Sequence, residues 1–420
     1  MQLVAYGAQD VYLTGSPKVT FFQAVYKRHT NFAMETIEQV VNGTAANNAR
    51  LSVTVARNGD LIGEMYLEMI SAVSAYISDD STATAEWLAE RAVADIELTI
   101  GGQRIDKHYQ KWWRLYSELY LDEAKRVQYG KMTSASLGSG KVYLPLIFFF
   151  NRNPGLYLPL IALQYHEVRI DFDLASDMET YLNKNVFKVW ANYVYLDTEE
   201  RRRFAQKGHE YLIEQVQHTG SDTVTAGQTS NKRLSYNHPV KELVWCFNDP
   251  ATANAATALW NFTTEPGTSG IVLEADPASA LGSNSYVSIG QGTGVPLLRS
   301  GVSGWSDIKF REETVGPLTD FKLILNGQDR FKAQKGKYFN QVQAYNHHSG
   351  NPYPGVYSYS FALKPEEHQP TGTCNFSRID NAQVAVTVPA GIASTTMHMF
   401  AVNYNVLRIQ SGMGGLAFSN

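Results

Sequence analysis

The sequence predicts an all-β fold built from two similar sandwich domains, and three observations support this prediction. The 420 residues include 24 Tyr, 19 Phe, 32 Gly and 15 Pro, a composition typical of strands separated by turns. Several segments alternate apolar and polar residues with a period of two. Two of these segments recur in the second half of a chain whose length allows two or three domains.

The strand predictions rest on this alternation. In VRIDFDL (168–174) the apolar and charged residues fall on opposite faces, as in a half-buried strand. Residues 50–70 predict a hairpin, because Asn58 and Gly59 separate two apolar runs and Asn-Gly readily adopts a tight turn. Further alternating runs predict strands over residues 93–100, 186–196, 240–247, 319–325, 376–388 and 397–409.

Two helices are predicted between the strands. Residues 111–127 place apolar side chains at steps of three and four, so we expect this helix to cover the end of a sheet. Residues 196–206 begin with Asp197 or Thr198 as a cap, followed by two glutamates near the positive end of the helix dipole. A capped helix accounts for the charge run that ends at Arg203.

A faint internal repeat relates the two halves of the chain. ADIELTIGGQRID (94–106) matches TDFKLILNGQDRF (319–331), and further on ANYVYLD (191–197) matches VNYNVLR (402–408). The order of the matches is shared, while the spacing between them differs. Two copies of one β domain with different loop lengths would leave this pattern.

The domain boundaries follow from composition. TGSDTVTAGQTSN (219–231) is small, polar and without apolar periodicity, which predicts a linker. Residues 248 to about 306 are rich in Gly, Ala, Ser and Thr and predict a long surface excursion. We therefore expect an N-terminal arm over residues 1–24, a first domain over 25–219, a linker over 220–231 and a second domain over 232–420.

Charge and cysteine content exclude several classes of function. The formal net charge of −4 offers no broad basic surface, so direct nucleic-acid binding is not expected. Cys246 and Cys374 are too few for a disulfide framework or a structural zinc site. The first 15 residues lack the pattern of a secretory signal. The most apolar window, 142–163, is interrupted by three prolines and an arginine, so no transmembrane segment is expected.

No catalytic, cofactor-binding or metal-binding residue is predicted. His347 and His348 are adjacent and have no acidic neighbour at a helical spacing, which favours a loop over a metal site. Asp171 and Asp173 would share a strand face about 7 Å apart, a separation of the order that two-carboxylate catalysis uses. Alternation alone requires polar residues on an exposed face, and we favour that explanation. GQGTG (290–294) lacks the context of a dinucleotide-binding loop.

The remaining polar signals are local. Glycosylation triplets occur at Asn42, Asn261 and Asn375, and only Asn261 lies in a predicted exposed loop, which makes it the candidate glycosylation site. The basic clusters at 27–28 and 201–203 could meet phosphates, but each is short, and the second is explained by the predicted helix.

Long blocks of the sequence resemble a known family, the major capsid proteins of nucleocytoplasmic large DNA viruses, and particularly the algal-virus type. The blocks are LVAYGAQDVYLTGSPKVTFFQAVYKRHTNFA (3–33), RNGDLI (57–62), IGGQRIDKHY (100–109), PLIFFFNRNPGLYLPLIALQYHEV (145–168), HEYLIEQVQ (209–217), LNGQDRF (325–331), SFALKPEEHQPTGTCNFSRIDNA (360–382) and NYNVLRIQSGMGGLAFSN (403–420). The resemblance runs from end to end. It thins at 71–92, 132–140, 175–186 and 248–306.

The resemblance implies two tandem eight-stranded antiparallel jelly-roll sandwiches, with short helices in the loops, and a homotrimeric capsomer. Three chains would supply six similar wedges, so a trimer would fill a nearly hexagonal place in the outer shell of an icosahedral virion. The arm over residues 1–24 would lie on the inner side and contact neighbouring capsomers or minor capsid and penton proteins. The resemblance also implies that the shell assembles in the host cytoplasm. An internal viral membrane could lie beneath that shell.

A second hypothesis remains open at this point. Glycoside hydrolases and carbohydrate-binding proteins also use β-sandwiches, and their signal would be a groove lined by exposed aromatic residues and paired acids. A capsid protein needs rigid sandwiches and self-complementary sides, and it needs neither a cofactor nor enzymatic activity.

Overall fold

The computed structural model describes residues 7–72, 87–134, 140–248, 262, 271–275, 286–289, 308–309, 316–352, 354–390 and 395–418. The strands of the first half are β1 (Phe32–Gln39), β2 (Val41–Asn42), β3 (Arg50–Thr54), β4 (Leu61–Ser71), β5 (Val93–Ile100), β6 (Gln103–Tyr109), β7 (Lys141–Pro145), β8 (Leu158–Pro159), β9 (Val168–Leu174) and β10 (Leu182–Leu196).

The strands of the second half are β11 (His209–Val224), β12 (Thr229–Leu234), β13 (Pro239–Asn248), β14 (Ile271–Ala275), β15 (Tyr286–Ile289), β16 (Ile308–Lys309), β17 (Asp320–Leu325), β18 (Gln328–Asp329), β19 (Gln334–Lys335), β20 (Val356–Ser360), β21 (Cys374–Asn375), β22 (Ala382–Thr387), β23 (Thr395–Gln410) and β24 (Met413–Leu416).

The helices connect these strands. They are α1 (Asp10–Thr14), α2 (Gln110–Leu119), α3 (Glu123–Thr133), α4 (Phe149–Arg152), α5 (Met178–Tyr181), α6 (Thr198–Gln206) and α7 (Gln343–His347), with 3-10 turns at Leu88–Arg91, Pro154–Leu156 and Phe376–Arg378 and a π-helical turn at Tyr338–Val342. No helix in the described ranges is both long and apolar enough to span a bilayer.

The first half folds into a sandwich of two antiparallel sheets. One sheet has the order β1-β10-β4-β7, and the other has the order β2-β3-β9-β5-β6. The alternation predicted for residues 168–174 is confirmed, because Val168, Ile170 and Phe172 of β9 are buried in the core. The inner faces of both sheets contribute to one hydrophobic cluster, which also includes residues of α2.

The second half repeats the arrangement of eight of these strands. Its sheets have the orders β11-β23-β13-β20 and β12-β22-β17-β18, which correspond to β1-β10-β4-β7 and β3-β9-β5-β6, while β2 has no counterpart in the described sheet that begins at β12. Trp245, Phe321 and Phe339 occupy the centre of its core. A separate three-stranded sheet, β15-β14-β16, lies within the segment predicted as a surface excursion. The two tandem eight-stranded jelly rolls are therefore confirmed.

The predicted internal repeat corresponds to real structural equivalence at its first match. Residues 94–106 and 319–331 both form a hairpin, β5–β6 and β17–β18. Both turns use two consecutive residues with positive φ: Gly101 and Gly102 at 58° and 81°, and Asn326 and Gly327 at 51° and 78°.

The second match is equivalent only in topology. Its segments lie in β10 and β23, which occupy the same place in their sheets. Tyr193 packs into the first core, whereas the aligned Tyr404 lies on the opposite side of its strand, with its ring 5.7 Å from Lys241 Nζ.

The hairpin predicted over residues 50–70 is wrong. β3 pairs with β2 and β9, whereas β4 pairs with β10, β7 and β8 in the opposite sheet. The intervening residues therefore cross between the sheets. Gly59 is absent from the described residues with positive φ, and a Cβ on it would lie 2.8 Å from Cβ of Tyr193. Close packing against Tyr193, and not turn geometry, favours glycine here.

The predicted helices are confirmed with one change. Residues 111–127 form two helices, because α2 ends at Leu119 and Asp122 caps α3 by accepting a hydrogen bond of 2.8 Å from the backbone N–H of Lys125. Residue Asp197 caps α6 as expected, accepting a hydrogen bond from Thr198 N.

The segment 220–231, expected to be a linker, contains parts of two strands and the turn between them. β11 continues to Val224 and pairs with β23 from His209 opposite Ile409 to Val224 opposite Thr395. β12 then begins at Thr229. β11 is an edge strand, and most of its residues from 219 to 223 are exposed, so their polarity reflects an exposed edge.

Candidate assembly surfaces

The segment before β1 exposes an unusual amount of apolar surface. Eight of the seventeen exposed large hydrophobic side chains in the described ranges lie between residues 11 and 26, and Phe32 and Met34 at the start of β1 add two more. Phe21 and Phe22 are 93% and 99% exposed. Lys27 and Arg28 are exposed in the same segment. An exposed apolar surface of this extent is typical of a site that another molecule covers.

A second apolar surface lies on the side of sheet β1-β10-β4-β7 that faces away from its own core. We call it the open face. It contains a groove of about 650 Å³ that is lined mainly by Tyr66, Tyr143, Trp190 and Met132. The Tyr66 and Tyr143 rings pack edge to face, with centroids 5.8 Å apart. Trp190 Nε1 donates a hydrogen bond of 2.9 Å to Glu68.

The corresponding side of sheet β11-β23-β13-β20 is covered by the first half of the same chain. We call it the covered face. Phe400 of β23 packs against Trp112 of α2, with ring centroids 5.6 Å apart, and Val244 and Val356 join the cluster of the first sandwich. Helix α2, which follows β6, is therefore packed between the two jelly rolls. The sequence predicts a helix at the end of a sheet, whereas α2 packs on the face of a sheet in the other jelly roll.

Buried charges accompany this contact between the halves. Glu214 of β11 lies 2.7 Å from Lys241 Nζ and 3.0 Å from Arg152 Nη2. Burial alone would raise the pKa of Glu214, but the two cations hold that pKa below its usual value. Lys241 also donates a hydrogen bond of 2.6 Å to the carbonyl of Pro365. The three charges join β13 and β11 to α4 of the first half.

A buried histidine forms a second charged group in the same region. The His348 side chain is fully buried, with Nε2 3.1 Å from Glu242 and Nδ1 3.3 Å from Glu366. Burial lowers its pKa, but the two carboxylates outweigh burial and raise the pKa of His348 to about 9. Its ring also packs edge to face with Tyr120, just after α2.

A third charged group holds α2 and α3 together. Arg114 lies 3.6 Å from Glu90 and 3.7 Å from Glu118, while Arg126 lies 3.2 Å from Glu118. Arg126 also donates a hydrogen bond of 2.6 Å to the carbonyl of Asn351, in the second half. Helices of the first jelly roll are thereby tied to a loop of the second.

The candidate carboxylates have structural partners. Asp171 is buried and lies 2.7 Å from Arg169 and 3.2 Å from Arg50, and Asp173 lies 3.5 Å from Arg50. Their expected solvent exposure is wrong for Asp171, because two arginines cover it. The pair nevertheless belongs to an ion-pair cluster at the sheet surface.

The other polar signals are placed as follows. His348 lies after α7 and is buried, which corrects the expectation of a simple loop histidine, while His347 is the last residue of α7. Within the described ranges no group of three or more His, Cys, Asp or Glu residues could hold a metal ion. Asn261 and residues 290–294 lie outside the described residues, so glycosylation at Asn261 stays a prediction.

Comparison with known proteins identifies the family of the chain. A family described as "Large eukaryotic DNA virus major capsid protein" matches residues 200–415, and one described as "Major capsid protein N-terminus" matches residues 20–197. The chain is 44% identical over 461 aligned residues to the major capsid protein of Paramecium bursaria Chlorella virus 1, covering 100% of this chain and 99% of that protein. The chain belongs to the major capsid protein family of large eukaryotic DNA viruses.

Other members of this capsid protein family agree in sequence and structure. The major capsid protein of Phaeocystis pouchetii virus is 38% identical over 100% of this chain and 99% of its own length. The subunit in the PBCV-1 virus capsid is similar in structure, with a TM-score of 0.77 and 39% identity, covering 96% of this chain and 100% of that chain. These matches give no support to a carbohydrate-binding or carbohydrate-cleaving protein.

Sequence reasoning missed the residues that join the jelly rolls in this capsid protein family member. Lys241 and Glu242 are two adjacent charges in the otherwise apolar strand PVKELVWCFN, and such charges require partners when the strand is buried. The sequence alone therefore indicated that Lys241 and Glu242 need charged or polar partners. The partners Arg152, Glu214 and Glu366 are distant in sequence, so no spacing rule would identify them.

Proposed function

We propose that the chain is the structural subunit of the outer icosahedral shell of a large DNA virus and forms homotrimeric capsomers of nearly hexagonal outline. The observation that carries this proposal is the strand order that the two jelly rolls of one chain share over eight strands each. Three chains contribute six similar wedges, so an object with threefold symmetry fits a place with six neighbours. Family membership supports the structural role.

The exposed surfaces support self-association. A permanent trimer is expected to bury more than about 2,000 Å² per interface, and such interfaces are rich in apolar and aromatic residues. The open face carries Tyr66, Tyr143 and Trp190. A near-neutral charge of −4 limits repulsion between identical subunits.

We assign the N-terminal arm to contacts between capsomers. Residues 7–31 form α1 and no strand, and they are exposed along their length. In the assembled shell this segment lies on the inner side and contacts neighbouring capsomers or minor capsid and penton proteins. Its exposed apolar side chains are the support for this role.

The proposed subunit is not an enzyme, does not bind nucleic acid directly and assembles in the host cytoplasm. The capsid protein family and the ion-paired environment of Asp171 support the first statement. For the domains, we propose that the arm extends to β1 and that the boundary between the jelly rolls lies between α6 and β11. That boundary falls close to the point where the two family matches meet, after residue 197 and before residue 200.

Light scattering of the purified chain tests the proposal. We expect a particle of three times the chain mass of 46.8 kDa, and images of it should show threefold symmetry with a six-sided base. A strictly monomeric protein at assembly concentrations would contradict the proposed capsomer.

A further inference from the structure

We propose that the helical segment between β18 and β20 of one chain packs into the groove of the open face of a second copy. This inference rests on the trimer proposed above and identifies the contact that builds it. The segment consists of the π-helical turn Tyr338–Val342 and α7, and we call it the second-half helix.

The contact within one chain supplies the precedent. The covered face is buried because α2, the helix between β6 and β7, packs on it with Trp112 against Phe400. β6 and β7 occupy the same places in their sheets as β18 and β20. In strand order, the second-half helix is therefore the counterpart of α2.

The second-half helix has an inner side and an outer side. Phe339 and Ala344 are buried, and Phe339 belongs to the core of the second jelly roll. Val342 and Tyr345 are three residues apart, a spacing that places them on one helical side, and they are 42% and 89% exposed. The outer side therefore carries apolar and aromatic groups with no cover in the described part of the chain.

The open face is the counterpart of the covered face. Both lie on the outer side of the sheet with the same strand order, but only the covered face is packed against another jelly roll of the same chain. The groove with Tyr66, Tyr143 and Trp190 lies where β4, β7 and β10 run side by side. It offers aromatic surface at the place where Phe400, Val244 and Val356 receive α2 on the covered face.

The charges of the two surfaces are complementary. Residues 330–348 contain Arg330 and three lysines but no Asp or Glu, and all three lysines are exposed, with Lys335 paired to Asp320 at 3.0 Å. The charged residues that line the groove are Glu64 and Glu68. Glu68 already pairs with the half-exposed Lys141 at 2.8 Å, whereas Glu64 accepts hydrogen bonds from Tyr157 and Asn192. Positive charge near the second-half helix and negative charge in the groove favour association of these two surfaces in one orientation.

A second copy of the chain is the occupant that also satisfies the geometry. Within one chain, α2 of the first jelly roll packs on the covered face of the second jelly roll. Between chains, the second-half helix of one chain would pack on the open face of the first jelly roll of its neighbour. In the proposed trimer, alternating these two contacts gives a heterologous interface that closes into a ring of three chains. Every jelly roll in that ring then has its outer sheet covered by a helix of the preceding jelly roll.

Charge substitution at Tyr345 tests this contact. Because Tyr345 is 89% exposed, Tyr345→Glu should leave the circular dichroism spectrum and thermal unfolding of the subunit unchanged. We expect its mass by light scattering to fall from three chains to one at a concentration where the natural protein is trimeric. The matched control is Tyr165→Glu, at a residue 74% exposed between β8 and β9, which should remain trimeric.

Cross-linking locates the contact independently. Chains with Tyr345→Cys and chains with Tyr143→Cys, both carrying Cys374→Ser, are co-expressed and treated with a short bismaleimide. We expect a covalent dimer in this mixture and none when Tyr165→Cys replaces Tyr345→Cys. That dimer would support the contact whatever the mass of Tyr345→Glu. A trimer without the dimer would overturn the contact and leave the proposed function standing, whereas a monomeric natural protein would overturn both.

Discussion

Glu214 is the residue on which the charged contact between the jelly rolls depends. It is buried and forms ion pairs with both Lys241 and Arg152. Replacing one member of such a group leaves the remaining buried charges unpaired, which typically costs about 3–5 kcal/mol. We therefore expect Glu214→Gln to lower the free energy of unfolding by that amount, measured by urea denaturation at pH 7.

The matched control for this prediction lies on the same strand. Glu210 pairs with Arg408 at 2.9 Å, but both side chains are more than half exposed. Exposed pairs contribute up to about 1 kcal/mol, so Glu210→Gln should have a small effect. Equal losses in the two variants would show that the Glu214 group does not contribute as a buried cluster.

His348 predicts a loss of stability in mildly alkaline solution. Its pKa is raised from 6.5 to about 9 in the folded chain by Glu242 and Glu366 against the opposing effect of burial. The stabilisation is fully present below pH 6.5 and is lost as the pH rises through the folded pKa, amounting to about 3 kcal/mol. His348→Gln should lack this dependence when unfolding is measured between about pH 6 and pH 10.

The neighbouring His347 serves as the control for that pH dependence. His347→Gln removes an imidazole from α7 but leaves the two carboxylates with their buried partner. The variant loses a contact of 3.1 Å with the carbonyl of Leu363, but it should retain the alkaline loss of stability that we assign to His348. A His348→Gln variant with an unchanged pH dependence would contradict the assignment of this loss to His348.

At the scale of elements, the two equivalent hairpins should respond alike to substitution. Gly102 and Gly327 have φ of 81° and 78°, and a Cβ on either would meet no atom within 4 Å. Only backbone strain then opposes alanine, and it costs about 1 kcal/mol. We expect Gly102→Ala and Gly327→Ala to destabilise the chain by equal, small amounts in thermal unfolding.

A third glycine separates strain from steric conflict. Gly355 has φ of 91°, and a Cβ on it would lie 2.3 Å from the carbonyl oxygen of Phe262. Gly355→Ala should therefore destabilise the chain considerably more than either hairpin variant. Unequal effects at the two hairpins would argue against their structural equivalence.

The sequence predicted elements well where one face of a strand is buried. Alternation located β5, β9 and β17, because burial of one face imposes a period of two. It failed over residues 50–70, where two apolar runs beside Asn58-Gly59 look like a hairpin although the chain crosses between sheets. It failed again over residues 220–231, since an exposed edge strand has the composition of a linker.

The contacts between elements were less predictable than the elements. Ion pairs such as Arg152 with Glu214 join residues whose proximity depends on the complete fold. The resemblance to capsid proteins predicted the tandem jelly rolls, but it did not identify the residues that form the covered face. Those residues became visible only when the position of α2 against β23 was known.

At the scale of the whole molecule, the N-terminal arm should be needed for the shell and not for the capsomer. Deleting residues 1–24 removes the exposed apolar residues up to Phe22 and leaves both jelly rolls complete, since β1 begins at Phe32. We expect the truncated chain to form trimers by light scattering but to give few closed particles in electron micrographs. Particles equal in number and shape to those of the full chain would refute a role of the arm in the lattice.

β11 links the two jelly rolls more closely than a flexible tether would. It pairs with β23 along its length, while Gln215 and Val216 also form hydrogen bonds with Ile105 and Asp106 of β6. The mutual orientation of the wedges is consequently fixed when each polypeptide folds. We expect the curvature of the virion to arise at the contacts between capsomers, because β11 holds the two jelly rolls of each chain in a fixed orientation.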